Sequence, residues 1–404
     1  MNVLIMDMGA RLNKLGGEAK MANLLFEKLD GKVNTYYLGY ETYYTTPTRN
    51  TIILERGGSI NTSARNSFLS ELSIVRAIYY FLYIRNMVGL NVSKGSILEK
   101  VKWMKPDIII SNSIQDFALL RYFKDHGIKF KSIYIDHGSL STDNTSGYFT
   151  KEGIPLTIGT GINALSLNTA KRKFFNFFDM NIALNLSQFK AINKFTKKVT
   201  YIPNGLDIRV RKNPKQDNLL RKKYAISKND FVVLYLGRMF DRQKNVSTLI
   251  KAFRATNSQH LKLLLVGEGP STPSYKKLAD GDKRIIFTVP KPVSEVNSIY
   301  NISNLFVLPS FWEGSTLTLL EAAGHGLPII LSKDAYTPDL RQTHIPRISS
   351  FTTTDYNTLK RQIELIFNNK SVREKSIASS RIVSKTFTEK KMLSSYLRLL
   401  QNLI

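Results

Sequence analysis

Two glutamates, Glu313 and Glu321, stand eight residues apart in the segment LFVLPSFWEGSTLTLLEAAGHGLPIILS, residues 305–332. The run 305–308 is apolar and stops at Pro309 and Ser310, as a buried strand does, and from Leu317 the apolar residues follow helical spacing. Glu313 is therefore expected in the loop and Glu321 on the second turn of the helix. Between them Gly314, Ser315 and Thr316 carry little bulk. Backbone N–H groups at the helix start, up to Leu317, can then approach an anionic phosphate where the helix dipole favours negative charge. The two carboxylates can accept hydrogen bonds from hydroxyls of a sugar or ribose. By itself the spacing also fits an ordinary strand, loop and helix with two incidental glutamates.

The elements that must position these groups alternate along the chain in two series. Strand patterns are expected at 3–7, 33–38, 107–111, 132–136, 180–184 and 199–202, then at 231–236, 261–266, 284–288, 305–308 and 329–331, with helical patterns such as 19–29 between them. Such alternation predicts α/β domains with parallel sheets covered on both faces. Pro203, Asn204 and Gly205 supply turn chemistry between the series, so one Rossmann-like domain is expected over 1–204 and a second from 205. No internal repeat is visible. In parallel sheets, ligands sit beyond the carboxyl ends of the strands. The polar candidates fall there: Gly16 and Gly17 after the first strand, His137 after 132–136, Arg238 after 231–236, Gly267 and Glu268 after 261–266, and Glu313 after 305–308.

Length agrees, since 404 residues exceed what a single core usually holds. The absence of cysteine excludes disulfides, thiolate catalysis and cysteine metal sites, and fits a reducing compartment. Asp7 follows only a few apolar residues, so the N-terminus reads as a first strand and not as a secretory signal. A formal net charge of +27, spread over both halves, would attract anionic headgroups, acidic polymers or nucleic acid, or serve solubility alone. Within 68–90 the apolar core 77–84 is too short to span a bilayer. It reads as a buried helix, or as one with aromatic and basic positions at a membrane surface.

Six motifs in order carry a family resemblance: NVLIMDMG with Gly16-Gly17-Glu18-Ala19, YIDHG at 134–138, YIPNGLD at 201–207, VVLYLGRM with Lys244-Asn245 downstream, LLLVGEGP at 263–270, and the glutamate block. Together they resemble retaining family 4 glycosyltransferases with the GT-B fold, over nearly the whole chain. The resemblance implies two Rossmann-like domains facing a central crevice, an acceptor-side domain over 1–204, a nucleotide-sugar-binding domain over 205–384, and a final helix, 385–404, returning to the first domain. It assigns Arg238 and Lys244 to the leaving diphosphate, Glu313 to the transferred sugar and Glu321 to the ribose. By the same resemblance His137 faces the donor sugar, either to hydrogen-bond a hydroxyl or to support developing positive charge through its backbone carbonyl, and Gly17 allows close backbone approach to the sugar or diphosphate. It also implies retention by front-face attack, with the leaving phosphate helping to deprotonate the acceptor.

Three features depart from the family pattern. The residues RLNKL lengthen the loop between Gly9 and Gly16, TVPKPVSEV at 288–296 lacks a glycine near the expected base, and His325 occupies a position usually small. His325 beside Gly326 reads as a helix C-terminal residue. Asp280-Gly281-Asp282 has the form of a metal-binding aspartate pair but precedes a strand in a turn, so no metal and no cofactor is expected beyond the nucleotide-sugar donor.

The expected protein is a cytoplasmic hexosyltransferase, peripheral on the inner face of the cell membrane. It would move a hexose or N-acetylhexosamine from a UDP-linked sugar to a bacterial surface polysaccharide, teichoic polymer or glycolipid. The segment KRKFF at 171–175 and the segment 68–90 suggest contact with an anionic membrane surface. No specific nucleic acid is expected. A nucleotide-sugar epimerase of similar fold, which needs no acceptor, and a non-catalytic nucleic-acid-binding protein remain as other classes.

Overall fold

A computed structural model describes residues 1–8, 17–40, 48–54, 94–138, 160–208, 210, 212–289, 295–342 and 349–404. Gly16, the glycine-loop residues before it and the segment 68–90 lie outside the described residues. The chain forms two compact units, one of Met1–Ile202 with Leu393–Ile404 and one of Pro203–Met392. The sequence had set these crossings at 204/205 and 384/385.

The first unit holds a seven-stranded sheet of β1 (Asn2–Asp7), β2 (Asn34–Tyr40), β3 (Thr51–Leu54), β4 (Ile108–Ser111), β5 (Lys131–Asp136), β6 (Met180–Ala183) and β7 (Val199–Tyr201), in the order β3-β2-β1-β4-β5-β6-β7. Every pairing is parallel; Ile5, for example, lies opposite Tyr37 of β2 and Ile110 of β4. The strands are nearly continuous apolar runs because helices cover both faces. Ile108, Ile109 and Ile110 are all fully buried.

The second unit holds six parallel strands: β8 (Phe231–Leu236), β9 (Leu261–Val266), β10 (Ile285–Thr288), β11 (Leu305–Leu308), β12 (Ile329–Ser332) and β13 (Ser349–Phe351). Their order is β10-β9-β8-β11-β12-β13, with pairings such as Leu305 opposite Val233. The helix Val246–Arg254 packs on this sheet by burying Val246, Leu249, Ile250 and Phe253, a spacing that puts these side chains on one helical face. Each sheet reverses its winding once, between β1 and β4 in the first unit and between β8 and β11 in the second. A crevice opens at such a reversal.

Two strands escape the sequence pattern. β3 is the edge strand TIIL, with only Ile52 and Leu54 turned into the core, and β13 is the three-residue SSF, held by pairing with β12. Neither has the length or alternation that marks a strand on its own.

The basic-aromatic segment at 171–175 requires a correction. Phe174 and Phe175 are buried in the first unit's core, where Phe174 packs edge-on against Tyr134 at 5.0 Å, and Lys171 is only 5% exposed. Arg172 and Lys173 alone are exposed. Each fully buried phenylalanine contributes about 2–3 kcal/mol to the fold, so these rings are not available to a bilayer. Asp280 and Gly281 have φ of 48° and 71° and end the helix Thr272–Ala279. Asp280 pairs with Arg254 at 3.2 Å and Asp282 with Arg284 at 2.8 Å. The Arg284 hydrogen bond also holds the Asp282 carboxyl below the usual range. The aspartate pair is a structural turn.

Candidate functional site

The second unit gathers its polar groups where the sheet reverses, beyond the ends of β8 and β11. After β8 the chain runs through Gly237, Arg238 and Met239 into the single turn Asp241–Lys244. That turn is held from behind, because the Asp241 carboxylate accepts hydrogen bonds from Ser247 N, Ser247 Oγ and Tyr275 Oη at 2.9–3.1 Å. It stops at Asn245, whose φ of 50° reverses the backbone. The Asn245 amide donates to Pro309 O at 3.0 Å and Thr353 O at 2.7 Å, and its Oδ1 accepts from Thr248 Oγ1 at 2.8 Å. The residue after Lys244 is therefore clamped to the end of β11, and the lysine is aimed accordingly.

Lys244 Nζ donates to both carboxylate oxygens of Glu313, at 2.7 and 2.9 Å. The side chains are 15% and 7% exposed. Ser310 Oγ donates to the same carboxylate at 2.5 Å. An ammonium carries three donors, so one remains for a phosphate oxygen. Arg238 is exposed and positioned by Gln243, whose Oε1 accepts from its Nη2 at 2.9 Å, with the guanidinium 5.3 Å from the Phe240 ring. Gln243 also accepts through its backbone oxygen from Phe311 N at 2.8 Å. One residue thus links the Arg238 loop to the Glu313 loop. Tyr235, fully buried, donates to Arg238 O at 2.9 Å. Burial, and then the Glu313 carboxylate, raise its phenol well above the ordinary value, so it stays a donor.

Glycine shapes the adjoining wall. A Cβ on Gly267, whose φ is +133°, would lie 2.1 Å from Gly237 O, and one on Gly269 would lie 2.3 Å from Met239 O. The bond from Met239 N to Glu268 O, 2.9 Å, ties the two loops together and leaves the Glu268 side chain exposed.

The helix Leu317–Gly324 follows Gly314, Ser315 and Thr316. Thr316 has extended backbone but makes no side-chain cap, and its buried hydroxyl has no hydrogen-bond partner among the described residues. The first-turn N–H groups of this helix thus lack a side-chain cap, a setting that favours an anion. Glu321 is 7% exposed and accepts from Tyr300 Oη at 2.6 Å, with Tyr300 stacked on His325 at 4.8 Å. His325 caps the helix end and Gly326 follows at φ +70°, an αL termination. The expectation for His325 holds, and its ring additionally supports the Tyr300 that fixes Glu321.

The interdomain segment of the sequence is locked within the second unit. Asn204 Nδ2 donates to Ser315 O at 3.4 Å, and Leu206 N donates to Phe387 O at 3.1 Å. Asp207 Oδ1 accepts from Glu389 N at 3.2 Å.

Gly17 and His137 belong to the first unit. Gly17 opens the helix Gly17–Leu29 and is exposed, while His137 is partly buried just past β5. Its Nε2 lies 2.9 Å from Asn112 Oδ1. Burial pulls the imidazole down from 6.5 to about 4, so it is neutral at pH 7. The unfolded chain binds this proton near 6.5 and the folded chain only near 4; stability is complete above 6.5 and is lost as pH falls toward 4. At pH 5 the effect is on the order of 2 kcal/mol. Urea unfolding at pH 7 and pH 5 should therefore show wild type losing more stability than His137→Gln by that amount, and equal losses would contradict it.

Of the residues selected from sequence, the structure brings Lys244 and Glu313 into contact and sets Arg238 on a neighbouring loop joined to theirs by Gln243. Gly267 and Glu268 back onto the Arg238 loop, and Gly314 to Leu317 lead into the helix that carries Glu321. Ser310, Gln243, Tyr300 and Asn112 were missed. Their roles depend on contacts across 3 to 69 residues of sequence, and no local pattern marks them.

Residues 216–382 match the family model described as glycosyl transferases group 1. The chain is 25% identical over 263 residues to alpha-monoglucosyldiacylglycerol synthase of Acholeplasma laidlawii, covering 56% of this chain and 66% of that protein. It is 31% identical over 144 residues to the UDP-Gal:alpha-D-GlcNAc-diphosphoundecaprenol alpha-1,3-galactosyltransferase of Escherichia coli, covering 33% and 36%. The matched part is thus under two thirds of either relative's length. Among solved structures, Anabaena Alr3699/HepE in complex with UDP and glucose superposes with a TM-score of 0.68 at 14% identity, covering 100% of both chains. The match to the group 1 glycosyltransferase model covers residues 216–382 of the 404-residue chain, and the likeness to the solved structure shows the fold, two parallel-sheet units of the GT-B type.

Proposed function

We propose that this protein is a retaining glycosyltransferase that moves a hexose or N-acetylhexosamine from a UDP-linked donor to a bacterial surface polysaccharide, teichoic polymer or glycolipid. The Lys244–Glu313 pair at the reversal of the second sheet carries the reading. A nucleoside diphosphate leaves with growing negative charge, and fixed cations are most effective against it when they need no reorganisation. Lys244 supplies such a charge and Arg238 a fork of donors. Glu313 orients Lys244 and offers its remaining acceptor capacity to sugar hydroxyls; Glu321, fixed by Tyr300, receives the ribose. Gly314 to Leu317 present the helix start to the diphosphate. His137, Gly16 and Gly17 are assigned to the donor by the family resemblance.

UDP is the preferred nucleotide because the superposed structure is a complex with UDP and glucose and one relative is named for UDP-Gal. Lipid-linked acceptors are favoured by the names of the two relatives given above. Cytoplasmic location with peripheral attachment to an anionic membrane rests on the charge of +27; no helix among the described residues is long and apolar enough to cross a membrane. No metal requirement is expected, a reading supported by the engagement of Asp280 and Asp282 with Arg254 and Arg284.

The test is nucleotide release from a panel of sugar nucleotides, with and without lipid-linked acceptors, in excess EDTA, followed by assignment of the product anomer. Acceptor-dependent UDP release in EDTA with an α product from an α-linked donor is expected. Loss of turnover restored by magnesium or manganese would overturn the metal-free part, and donor conversion without acceptor would overturn transfer.

A further inference from the structure

At the end of β4, the residues Ser111, Asn112, Ser113 and Asp116 tie together three parts of the first unit. Asp116 Oδ1 accepts from Met8 N at 2.8 Å, just beyond β1, and its Oδ2 accepts from Ser113 N and Ser111 Oγ at 3.0 Å. Asn112, fully buried, donates through its backbone N to Met6 O at 3.0 Å. Its side-chain Nδ2 donates to Glu18 O at 2.8 Å, in the first turn of the helix Gly17–Leu29, and its Oδ1 meets His137 Nε2 at 2.9 Å.

The orientation of this amide follows from chemistry. A backbone carbonyl has no proton to give, so the atom facing Glu18 O must be the NH2 group, and the atom facing His137 is the carbonyl oxygen. That oxygen only accepts. Nε2 of His137 must then carry the ring proton.

We propose that Asn112 is a positioning residue that holds neutral His137 as the Nε2–H tautomer, leaving Nδ1 to accept a hydrogen bond from a hydroxyl of the donor sugar. The hydroxyl as partner rests on the function proposed above, whereas the tautomer does not. Because the same amide holds Glu18 O, Asn112 also fixes the start of the helix that Gly17 opens. A ring nitrogen that only accepts requires a group that can donate, so the site distinguishes a sugar hydroxyl from a fluorine or methoxy substituent in its place.

The experiment is 15N NMR of histidine-labelled full-length protein at pH 7, with His137→Gln assigning the signal among the five histidines. Wild type is expected to show a pyrrole-like Nε2 and a pyridine-like Nδ1. Asn112→Leu, which removes the acceptor, should move both toward tautomeric averaging. A wild-type spectrum with the proton on Nδ1 overturns the proposal without any variant, and so does an Asn112→Leu spectrum unchanged from wild type. Turnover separates the two levels: an unaltered tautomer pattern with equal kcat/KM for parent and deoxyfluoro donors would sink the hydroxyl assignment alone.

Discussion

Replacing Glu313 with alanine is expected to abolish sugar transfer and to destabilise the protein by about 3 kcal/mol. Its carboxylate takes two hydrogen bonds from Lys244 and one from Ser310 in a setting where the lysine side chain is only 15% exposed. Truncation leaves a cation without its counter-charge, and the cost of an orphaned buried ion exceeds the net value of the pair. Lys244→Ala should cost a similar amount by leaving the carboxylate with only the serine hydroxyl. The combined variant Lys244→Met/Glu313→Gln separates structure from chemistry. Removing both charges should recover stability to within about 1 kcal/mol of wild type, while turnover stays down by about 100-fold or more. Urea unfolding and nucleotide release on all four proteins measure both quantities. A double variant with wild-type turnover would show that the pair only supports the fold.

Gly267→Ala is expected to have the second large effect. Its Cβ would meet Gly237 O at 2.1 Å with φ at +133°, so the two loops that hold Arg238 and Glu268 must part. Strain of this kind and the overpacking together predict a loss above about 3 kcal/mol. Gly326→Ala supplies the control, because φ there is +70° but nothing lies within 4 Å of the added carbon. It should cost about 1 kcal/mol, the price of left-handed backbone without a clash. Thermal unfolding of both variants tests the pair. Equal shifts would mean that the close loop packing contributes nothing.

What the sequence made legible follows from where the information is local. β8, β9 and β11 have the bounds expected for them because each is a mostly buried run, mainly of aliphatic and aromatic residues, bounded by turn residues. Glu321 falls on the helix turn expected for it because that helix starts where the apolar spacing starts. β13 was illegible because Ser349 and Ser350 carry no strand signal and pairing with β12 alone makes them one. At the site, residue type and position relative to a strand end were enough to select Arg238, Lys244 and Glu313. The Lys244–Glu313 contact spans 69 residues and had no local trace. Gln243 and Asn112 were hidden for the same reason: each acts through partners that only the folded sheet brings near. The phenylalanines at 174 and 175 misled in the opposite direction, since a basic-aromatic run looks the same whether its rings face lipid or Tyr134.

The central claim is that UDP sits on the second unit, with its diphosphate at Arg238, Lys244 and the start of the helix Leu317–Gly324 and its ribose at Glu321. Calorimetric titration of UDP and uridine into wild type, Arg238→Ala and Glu321→Gln tests it most directly. Wild type should bind UDP more tightly than uridine. Arg238→Ala should lose part of that preference for the diphosphate, Lys244 and the helix start retaining the rest, and Glu321→Gln should weaken both ligands alike, by roughly 10-fold for one charge-assisted hydrogen bond. Equal UDP affinity in all three proteins, or no nucleotide binding by wild type, would contradict the account.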